Sequence, residues 1–320
     1  MIEFKVGIIG AGKIAGTIAD TLNKLDAFCP YAIASRDIDK ANEFGDMYNI
    51  EKRYGSYEEL ANDPEVELIY IATPHSHHAE QAKMCINAGK PVLVEKAFSF
   101  DAPSTKEVLD LSREKNVFCG EAMWIRFLPM YDMARDIIKK GAIGRINSIT
   151  CSLGYDLRKK ERLLKPELAG GALLDLGVYP INAISMLFDQ APISAMISCV
   201  KLDTGVDAQD TIHFNFNKGG IAQAFITMLY KADNKMLIYG DRGYMEITNI
   251  NCPEEIKVYN FDEQLVADIK PPENQISGYE YEFLAARNAI ISGRIEFNRM
   301  PQAETLGIMT FIDTLKKQIK

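Results

Sequence analysis

Apolar and polar positions follow two different patterns along the chain. Over the first third, short apolar runs alternate with stretches of helical spacing, which is typical of a parallel sheet with crossover helices. The pattern predicts strands over residues 6–9, 31–34, 67–72, 91–94 and 117–119, and helices over 17–25, 76–88 and 102–115.

The pattern of apolar and polar residues changes after Gly144. Strands then follow one another with tight turns such as 217–220, which predicts a mostly antiparallel sheet. The predicted strands are 146–155, 193–201, 211–216, 221–230 and 235–238, and the predicted helices are 128–140, 172–188, 279–291 and 303–317. We therefore predict two domains: a doubly wound Rossmann domain of the α/β class over 1–121, and an α+β domain with an open, mostly antiparallel sheet over 122–320.

Composition narrows the class of protein. The 320 residues suffice for two cores, and 47% hydrophobic with 25% charged residues is ordinary for a globular chain. No run approaches the ~20 apolar residues of a membrane span, and the net charge of −8 disfavours a nucleic-acid or anionic-membrane partner. Six scattered cysteines without a C-x-x-C pair indicate neither zinc nor a disulfide framework. Because the first strand leaves no room for a signal peptide, we expect a cytoplasmic protein.

The first predicted strand runs directly into a glycine-rich turn and a helix. In such a turn the first glycine allows a tight bend, the second lets backbone N–H groups approach a pyrophosphate, and a small residue lets the helix pack on the strand. Here these residues are Gly10, Gly12 and Ala15, and Ala11, Lys13 and Ile14 complete the turn. Because the second strand completes a βαβ unit, the turn predicts a nicotinamide dinucleotide site. The alternative is a turn that binds nothing.

The end of the second predicted strand indicates which cofactor is bound. NAD enzymes place an acid there for the ribose 2′-hydroxyl, and NADP enzymes place a cation for the 2′-phosphate. This chain has Ser35 and Arg36, whose hydroxyl and guanidinium suit a phosphate. NADP(H) is therefore preferred. NAD(H) stays open, because Asp37 would serve the hydroxyl if the strand ended one or two residues later.

Candidate catalytic groups follow the later strands. Open α/β sheets bind ligands at the carboxyl edge of their strands, and Lys96 stands at that edge. Asp175 and Tyr179 are four residues apart on a predicted helix and share a face. A phenol ionises near pH ~10, so its use at neutral pH needs a nearby cation such as the Lys96 ammonium. The candidate cofactor contacts at the same edge are Thr73, Pro74, His75, His78, Glu95 and Lys96.

Several short segments of the chain occur in an order and spacing that are typical of one enzyme family. Besides the glycine turn they are residues 57–60, 63–66, 73–78, 95–98, 121–127, 170–179 and 278–282, so they span essentially the whole chain. In these segments the chain resembles the Gfo/Idh/MocA oxidoreductase family, and within it the dimeric dihydrodiol dehydrogenase branch. The resemblance implies a Rossmann domain, a second domain on an open antiparallel sheet, NAD(P)-linked oxidation of a sugar or cyclic diol, and a homodimer through the sheet face.

The resemblance also assigns roles. Lys96 matches the family's catalytic lysine, Asp175 its active-site acid, and Tyr179 a position where many members have histidine but the dihydrodiol and glucose-fructose branches have tyrosine. Tyr179 is therefore the predicted general acid/base. In two departures, Ala97 replaces the usual proline and His75 the usual asparagine. Without the proline we expect a trans bond after Lys96, because a non-proline cis peptide costs about 2.5–4 kcal/mol.

Each candidate also has a purely structural interpretation. Lys96 alone would be a solvated residue that ends a strand, and Asp175 and Tyr179 alone would be a helix-start acid and a core tyrosine. The histidines at 75, 77 and 78 lack an acid or cysteine at ligand spacing, so we expect no metal site. The candidate substrate contacts, whose residue types are also common in cores and ion pairs, are Trp124, Arg126 and Tyr155.

Together these observations predict an oxidoreductase that transfers a hydride between nicotinamide and a carbinol carbon of a sugar, polyol or cyclic diol. Tyr179 would accept the hydroxyl proton, Lys96 would hold the phenol pKa down, and Asp175 would orient the substrate or the lysine. A cofactor-sensing regulator of the same fold is the alternative, and retention of these three side chains argues against it. The expected partners are the small-molecule substrate and a second copy of the chain.

Overall fold

The computed structural model describes residues 3–188 and 192–319 of the chain. These residues form two compact units: unit 1 contains residues up to 124 together with Ile276–Met309, and unit 2 contains Ile125–Gln275 together with the residues from 310 onward. The sequence pattern predicted a boundary after residue 121, with 276–309 in the second domain. The structure instead packs that segment in unit 1, where the buried ring of Phe283 contacts the rings of Phe28 and Tyr70.

Unit 1 alternates strands and helices from its first described residues. The strands are β1 (Phe4–Ile9), β2 (Phe28–Ala34), β3 (Lys52–Tyr54), β4 (Leu68–Ile71), β5 (Val92–Glu95) and β6 (Cys119–Ala122). The helices are α1 (Lys13–Leu22), α2 (Ile38–Tyr48), α3 (Tyr57–Ala61), α4 (His75–Asn87) and α5 (Ala102–Lys115). The sequence pattern did not identify α2, β3 and α3. It placed the last strand over 117–119, which overlaps β6 only at Cys119.

The six strands of unit 1 form one parallel sheet in the order β3-β2-β1-β4-β5-β6. Its central strands are apolar and buried on both faces, as expected where helices cover both sides of a parallel sheet. The strand order reverses between β1 and β4, and ligands of such folds bind at this switch point, beyond the carboxyl ends of the strands. The predicted Rossmann architecture is confirmed.

Unit 2 begins with a helix and is built on a second sheet. Its helices are α6 (Pro129–Lys139) and α7 (Val178–Phe188), and its strands are β7 (Ile146–Gly154), β8 (Ser194–Lys201), β9 (Asp207–Asn215), β10 (Ile221–Thr227), β11 (Lys235–Gly240), β12 (Gly243–Thr248), β13 (Glu255–Asn260) and β14 (Leu265–Ile269). The chain then forms α8 (Glu280–Ile291) and α9 (Gln302–Lys316).

The eight strands of unit 2 are ordered β14-β13-β12-β11-β7-β10-β9-β8. All neighbouring strands are antiparallel except β7 and β10, which are parallel. The predicted mostly antiparallel sheet is therefore confirmed, with three more strands (β12, β13 and β14) than the sequence pattern identified. Along β9, buried and exposed side chains alternate, so one face of the sheet packs into unit 2 and the other remains open.

A continuous helical stretch crosses the core of unit 2. A π-helical turn, Leu173–Gly177, leads directly into α7. The stretch Pro166–Phe188 is long and apolar enough to cross a membrane, which the sequence analysis did not recognise, but 94% of its most apolar window is buried inside the protein. Such burial is typical of a core helix, whose apolar residues face protein on all sides.

Candidate active site

The turn after β1 leaves room for a ligand. Gly10 has a φ of +98°, and a Cβ there would lie 3.1 Å from the carbonyl oxygen of Ala72. Gly12, in contrast, has only open space where its Cβ would lie. Helix α1 begins after Gly12 with no side-chain cap and no acid in its first turn. Because N–H groups at a helix start attract negative charge, this turn fits a dinucleotide pyrophosphate.

The residues after β2 divide into an exposed cation and a carboxylate that caps a helix. Strand β2 ends at Ala34, and Arg36 two residues later is exposed. Burial raises the pKa of Tyr57, and the nearby Arg36 guanidinium opposes that rise. The Asp37 carboxylate accepts hydrogen bonds from the backbone N–H groups of Asp39 and Lys40, at 3.1 and 3.4 Å. Asp37 is therefore the N-cap of α2.

The segment after β4 is fixed by a buried histidine. His78 is fully buried, with Nε2 2.8 Å from the carbonyl oxygen of Thr73 and Nδ1 2.9 Å from that of Ala97. The ring, predicted as a cofactor contact, thus connects the segments that follow β4 and β5 through their backbone carbonyl groups. His75, predicted as a cofactor contact with Pro74, is the first residue of α4 and is also buried, with its ring centroid 5.7 Å from that of His78.

The peptide bond between Lys96 and Ala97 is cis. The prediction of a trans bond is therefore wrong. Ala97 is completely buried, and its carbonyl oxygen contacts the His78 ring, so tertiary packing rather than a proline ring decides the geometry here. Lys96 itself follows β5 at the carboxyl edge of the sheet, where the sequence placed it, and is half-buried.

A buried acidic cluster, which we define as Glu95, Glu121 and Glu282, lies in the core of unit 1. Tyr70 donates a hydrogen bond of 2.5 Å to Oε1 of Glu95. Both carboxyl oxygens of Glu282 are buried and have no hydrogen-bond partner among the residues that the structure describes. Burial, together with the charges of Glu95 and Glu121, raises the pKa of Glu282 well above its usual range. Glu95, which the sequence suggested as a cofactor contact, is thus hydrogen-bonded to a core tyrosine. The sequence pattern did not indicate this cluster.

In unit 2, Asp175 lies on the π-helical turn and Tyr179 lies in the first turn of α7, and both are buried. Arg162 donates a hydrogen bond of 2.8 Å from Nη2 to Oδ1 of Asp175. The Arg162 side chain is 38% exposed and that of Asp175 only 7%, so a partly solvated cation balances a buried anion. The sequence analysis did not identify Arg162.

Two glycines just before the helical stretch allow neighbouring groups to approach the backbone closely. A Cβ on Gly170 would collide with the carbonyl oxygen of Leu163, the residue after Arg162. Gly171 has a φ of +110°, and a Cβ there would collide with the carboxylate of Asp207. Asp207 in turn accepts a hydrogen bond of 2.5 Å from the backbone N–H of Leu173. The glycine pair of the motif therefore allows close approach of protein groups rather than of a ligand.

The three predicted substrate contacts have different surroundings. Trp124 stacks on Tyr279 within unit 1, with ring centroids 4.3 Å apart and planes at 15°. Arg126, in unit 2, is buried and donates from Nε to Oδ1 of Asn182 at 2.8 Å. Tyr155 is half-buried and its hydroxyl donates to Oδ1 of Asn251 at 2.9 Å. Burial raises the pKa of Tyr155, so this phenol is a neutral donor at neutral pH.

The candidate catalytic residues therefore belong to different parts of the chain. Lys96 is in unit 1 with the nucleotide turn, and Asp175 and Tyr179 are together in unit 2. Within residues 3–188 and 192–319, no group of three or more His, Cys, Asp and Glu side chains is arranged to hold a metal ion. All six cysteines are free thiols.

Two family models match the chain. The first, described as an oxidoreductase family with an NAD-binding Rossmann fold, covers residues 4–123. The second, a GFO/IDH/MocA C-terminal domain, covers residues 131–246. Together they include the nucleotide turn, Lys96, Asp175 and Tyr179.

Curated relatives match the chain over nearly its whole length. Two are the trans-1,2-dihydrobenzene-1,2-diol dehydrogenases of Danio rerio and Mus musculus, each 32% identical. Each match covers 98% of this chain and 96% of the relative.

Solved structures share the fold at lower sequence identity. KijD10, a 3-ketoreductase from Actinomadura kijaniata in complex with NADP and TDP-benzene, is 24% identical with a TM-score of 0.89, covering 99% of this chain and 98% of its own. Aldose-aldose oxidoreductase from Caulobacter crescentus complexed with glycerol is 20% identical with a TM-score of 0.90, covering 99% of this chain and 97% of its own. At these identities the likeness shows the fold.

Proposed function

The chain belongs to the Gfo/Idh/MocA family of NAD(P)-binding oxidoreductases, and from this premise we propose that it is an NADP-preferring dehydrogenase. In this proposal it transfers a hydride between the nicotinamide and a carbinol or carbonyl carbon of a sugar, polyol or cyclic diol. The proposal is carried by two features of one chain: a glycine turn with open space at Gly12, and a buried acid and phenol on one helical stretch. The curated relatives of the chain are dehydrogenases of a cyclic diol.

The preference for NADP is supported by the surroundings of Arg36 and Asp37. Two backbone N–H groups of α2 donate to Oδ1 of the Asp37 carboxylate, so this side chain already serves as the cap of the helix. Arg36 is exposed one residue earlier, where a guanidinium can form two parallel hydrogen bonds with a phosphate. Arg36 and Ser35 would hold the 2′-phosphate, and the first turn of α1 would hold the pyrophosphate.

The chemistry that bound NADP supplies is the acceptance or donation of the hydride. Oxidation of a carbinol also releases the proton of its hydroxyl, and in the proposal the Tyr179 phenolate oxygen takes it. Asp175, kept anionic and oriented by Arg162, would accept a hydrogen bond from a substrate hydroxyl. Lys96 is the proposed cation of the reaction, as in the family the chain belongs to. In reduction the same groups act in reverse.

A substrate screen tests the proposal. The purified protein is incubated with trans-1,2-dihydrobenzene-1,2-diol, with aldoses and with polyols, each with NADP⁺ and with NAD⁺, while reduced nicotinamide is followed by absorbance. We expect turnover of at least one diol or sugar, with NADP⁺ preferred, and loss of turnover in Lys96→Met. Tight nucleotide binding without turnover of any of these substrates would instead favour the cofactor-sensing regulator.

We also propose that the chain forms a homodimer through the open face of the unit 2 sheet. One row of residues crosses six strands of this face and is largely apolar: Leu265, Tyr259, Tyr244, Tyr239, Ser148 and Ile221. The rings of Tyr239, Tyr244 and Tyr259 form a ladder, with centroids 6.0 and 4.7 Å apart. A second copy would cover this row, because contiguous apolar surface is rarely left exposed.

Light scattering tests the dimer. We expect twice the chain mass of 35.8 kDa at micromolar concentration, and a monomer for Ile221→Glu. Ile291→Glu, on the exposed end of α8 in unit 1, is the matched control and should leave the dimer intact. A monomeric wild-type protein would refute the proposal.

A further inference from the structure

The helical stretch that carries Asp175 and Tyr179 is anchored at its start by a side chain from the sheet. The backbone N–H of Leu173 donates to Oδ2 of Asp207, the first residue of β9, at 2.5 Å. Gly171 has a positive φ at the same point, and any larger residue there would collide with this carboxylate. Since no side chain of the helix itself caps this end, Asp207 is its N-terminal cap, supplied from a distant strand.

A second carboxyl group lies behind this cap. Asp210, three residues along β9, is completely buried, and neither carboxyl oxygen has a hydrogen-bond donor among the described residues. On β8 its cross-strand neighbour is Cys199, and on β10 it is the apolar Ile226. Among the described residues, the titratable groups that act on Asp210 are thus the Asp207 carboxyl and the Cys199 thiol. The cation of this strand pair is Lys201, which is exposed, is the cross-strand neighbour of Asp207 and acts on the Cys199 thiol.

Only one of the two carboxyl groups can be charged in such surroundings. Two carboxylates close together repel each other strongly in a buried site, and the lysine beside Asp207 is exposed to solvent, so one of the two carboxyl groups retains a proton. Asp207 accepts the Leu173 N–H and is partly exposed, and is therefore the charged member. Asp210 is the protonated member: burial and the neighbouring Asp207 raise its pKa to about 8. The Cys199 thiol, with a pKa raised to about 12 by burial and Asp210, stays neutral.

We propose that Asp207 and Asp210 are positioning residues that share one proton, and that this proton keeps the Asp207 cap in place under the helix start bearing Asp175 and Tyr179. When the proton is lost, the two like charges repel, the cap on Leu173 weakens, and the helix start loosens. The consequence for catalysis rests on the proposed function, because it requires that Asp175 and Tyr179 act on substrate. The structural consequence does not.

Three isosteric variants separate these effects. In Asp210→Asn an amide N–H permanently replaces the shared proton, so the cap should no longer depend on pH. In Asp207→Asn the charged cap is lost at every pH, whereas the neutral amide keeps the shape. Asp203→Asn removes one negative charge from the exposed turn just before β9 and is the matched control.

The first measurement is hydrogen–deuterium exchange of peptides covering residues 172–178, each variant being compared with wild type at the same pH. At pH 7 we expect Asp210→Asn and Asp203→Asn to match wild type, and Asp207→Asn to exchange about tenfold faster, the effect of one charge-assisted hydrogen bond. Above pH 9, wild type and Asp203→Asn should exchange about tenfold faster than Asp210→Asn. Equal exchange in wild type and Asp210→Asn above pH 9 would overturn the proposal.

The second measurement is turnover of trans-1,2-dihydrobenzene-1,2-diol with NADP⁺ as a function of pH. We expect wild type to lose kcat as the pH rises through about 8, the Asp210 pKa, and Asp210→Asn to lack this loss. Asp207→Asn should lower kcat at all pH values, with the Kd for NADPH unchanged. An alkaline loss identical in wild type and Asp210→Asn would contradict the catalytic consequence. If no substrate is turned over at all, the proposed function fails and the exchange measurement still decides the role of the acid pair.

Discussion

The candidate nucleotide turn of unit 1 and the candidate catalytic helix of unit 2 are held in place in opposite ways. The turn is made by neighbours in sequence: Gly10 and Gly12 lie between the strand and the helix that they join. The start of the candidate catalytic helix is fixed by side chains from elsewhere in the chain. Arg162 bonds to Asp175 from 13 residues before it, and Asp207 caps Leu173 from 34 residues after it.

Because the two sites are held in place differently, we expect them to contribute differently to function. A site built from backbone N–H groups at a helix start needs only small residues and a fixed turn. Such a site contributes binding affinity for an anion. A site built from buried side chains depends on each charge having its partner, because an unpaired buried charge is costly. Substitutions at the nucleotide-binding residues of unit 1 should therefore change nucleotide affinity, and substitutions around the unit 2 helix should change turnover.

The largest expected effect is that of Tyr179→Phe. The ring keeps its packing in the buried helix, but the proton acceptor is lost, so kcat should fall by about 10²–10⁴. The Kd for NADPH, measured by fluorescence titration, should stay unchanged because the nucleotide turn is in unit 1. Tyr230→Phe, on an exposed residue of unit 2, is the control. Near-normal turnover of Tyr179→Phe would show that another group carries the proton.

Arg36→Ala tests the opposite half of the comparison. Loss of a charged hydrogen bond should weaken NADPH binding by about ten- to a hundredfold, and NADH binding much less. The sharpest control is Asp37→Ala, which should leave both affinities unchanged but lower the free energy of unfolding by about 0.5–2 kcal/mol, the usual value of a helix N-cap. If Asp37→Ala instead weakened NADH binding selectively, Asp37 would take part in NAD recognition in addition to capping α2, which would contradict the preference for NADP.

Arg162→Met should have an intermediate effect confined to turnover. It removes the cation that balances the buried Asp175 carboxylate while retaining much of the side-chain volume, so we expect kcat/KM to fall by about tenfold or more. Arg158→Met is the matched control, because that arginine pairs with the exposed Asp156 in the same loop. A change in the NADPH Kd for Arg162→Met but not for Arg158→Met would contradict the expectation that substitutions around the unit 2 helix leave nucleotide affinity unchanged.

The sequence predicted the fold well where apolar residues are periodic and buried. Both sheets and the long helices follow from that pattern, and helix α5 has the predicted bounds of Ala102–Lys115. Strand β14 was missed because most of its side chains are exposed, and α2 because few of its residues are buried. The return of α8 to unit 1 depends on contacts of Phe283 with rings more than 200 positions earlier, which no local pattern contains.

The candidate site was predicted only as far as its groups are local or resemble a family motif. The sequence indicated the glycine turn, Lys96, Asp175 and Tyr179 as candidates. It did not indicate Arg162, Asp207, Asp210 and Glu282, because these side chains contact partners that are distant in sequence. One signal was available: two glycines stand directly before the acid-bearing helix. A glycine pair at a helix start indicates close approach of other groups, and here those groups are the Arg162 loop and the Asp207 carboxylate.

The smallest effect concerns unit 1, whose buried acidic cluster should make stability depend on pH. The pKa of Glu282 lies well above its ordinary value of 4.5 because of burial and the neighbouring Glu95 and Glu121. The folded state therefore holds a proton that the unfolded chain releases above pH ~4.5. The stabilisation from that proton is complete below pH ~4.5 and is lost as the pH rises towards the folded-state pKa, by up to about 1.4 kcal/mol per pH unit.

Glu282→Gln removes this dependence, since the amide matches the protonated carboxyl in shape and cannot ionise. Thermal unfolding between pH 5 and 8 should show the Tm of wild type falling relative to that of the variant, by about 2–4 °C for each kcal/mol lost. Glu114→Gln, on an exposed residue of α5 in the same unit, should follow wild type. Parallel Tm curves for wild type and Glu282→Gln would mean that Glu282 is charged in the folded protein, and that the cluster has a cation or solvent partner which balances it. Unit 1 would then, like unit 2, depend on a paired buried charge, and the contrast between the two units would be confined to the nucleotide turn.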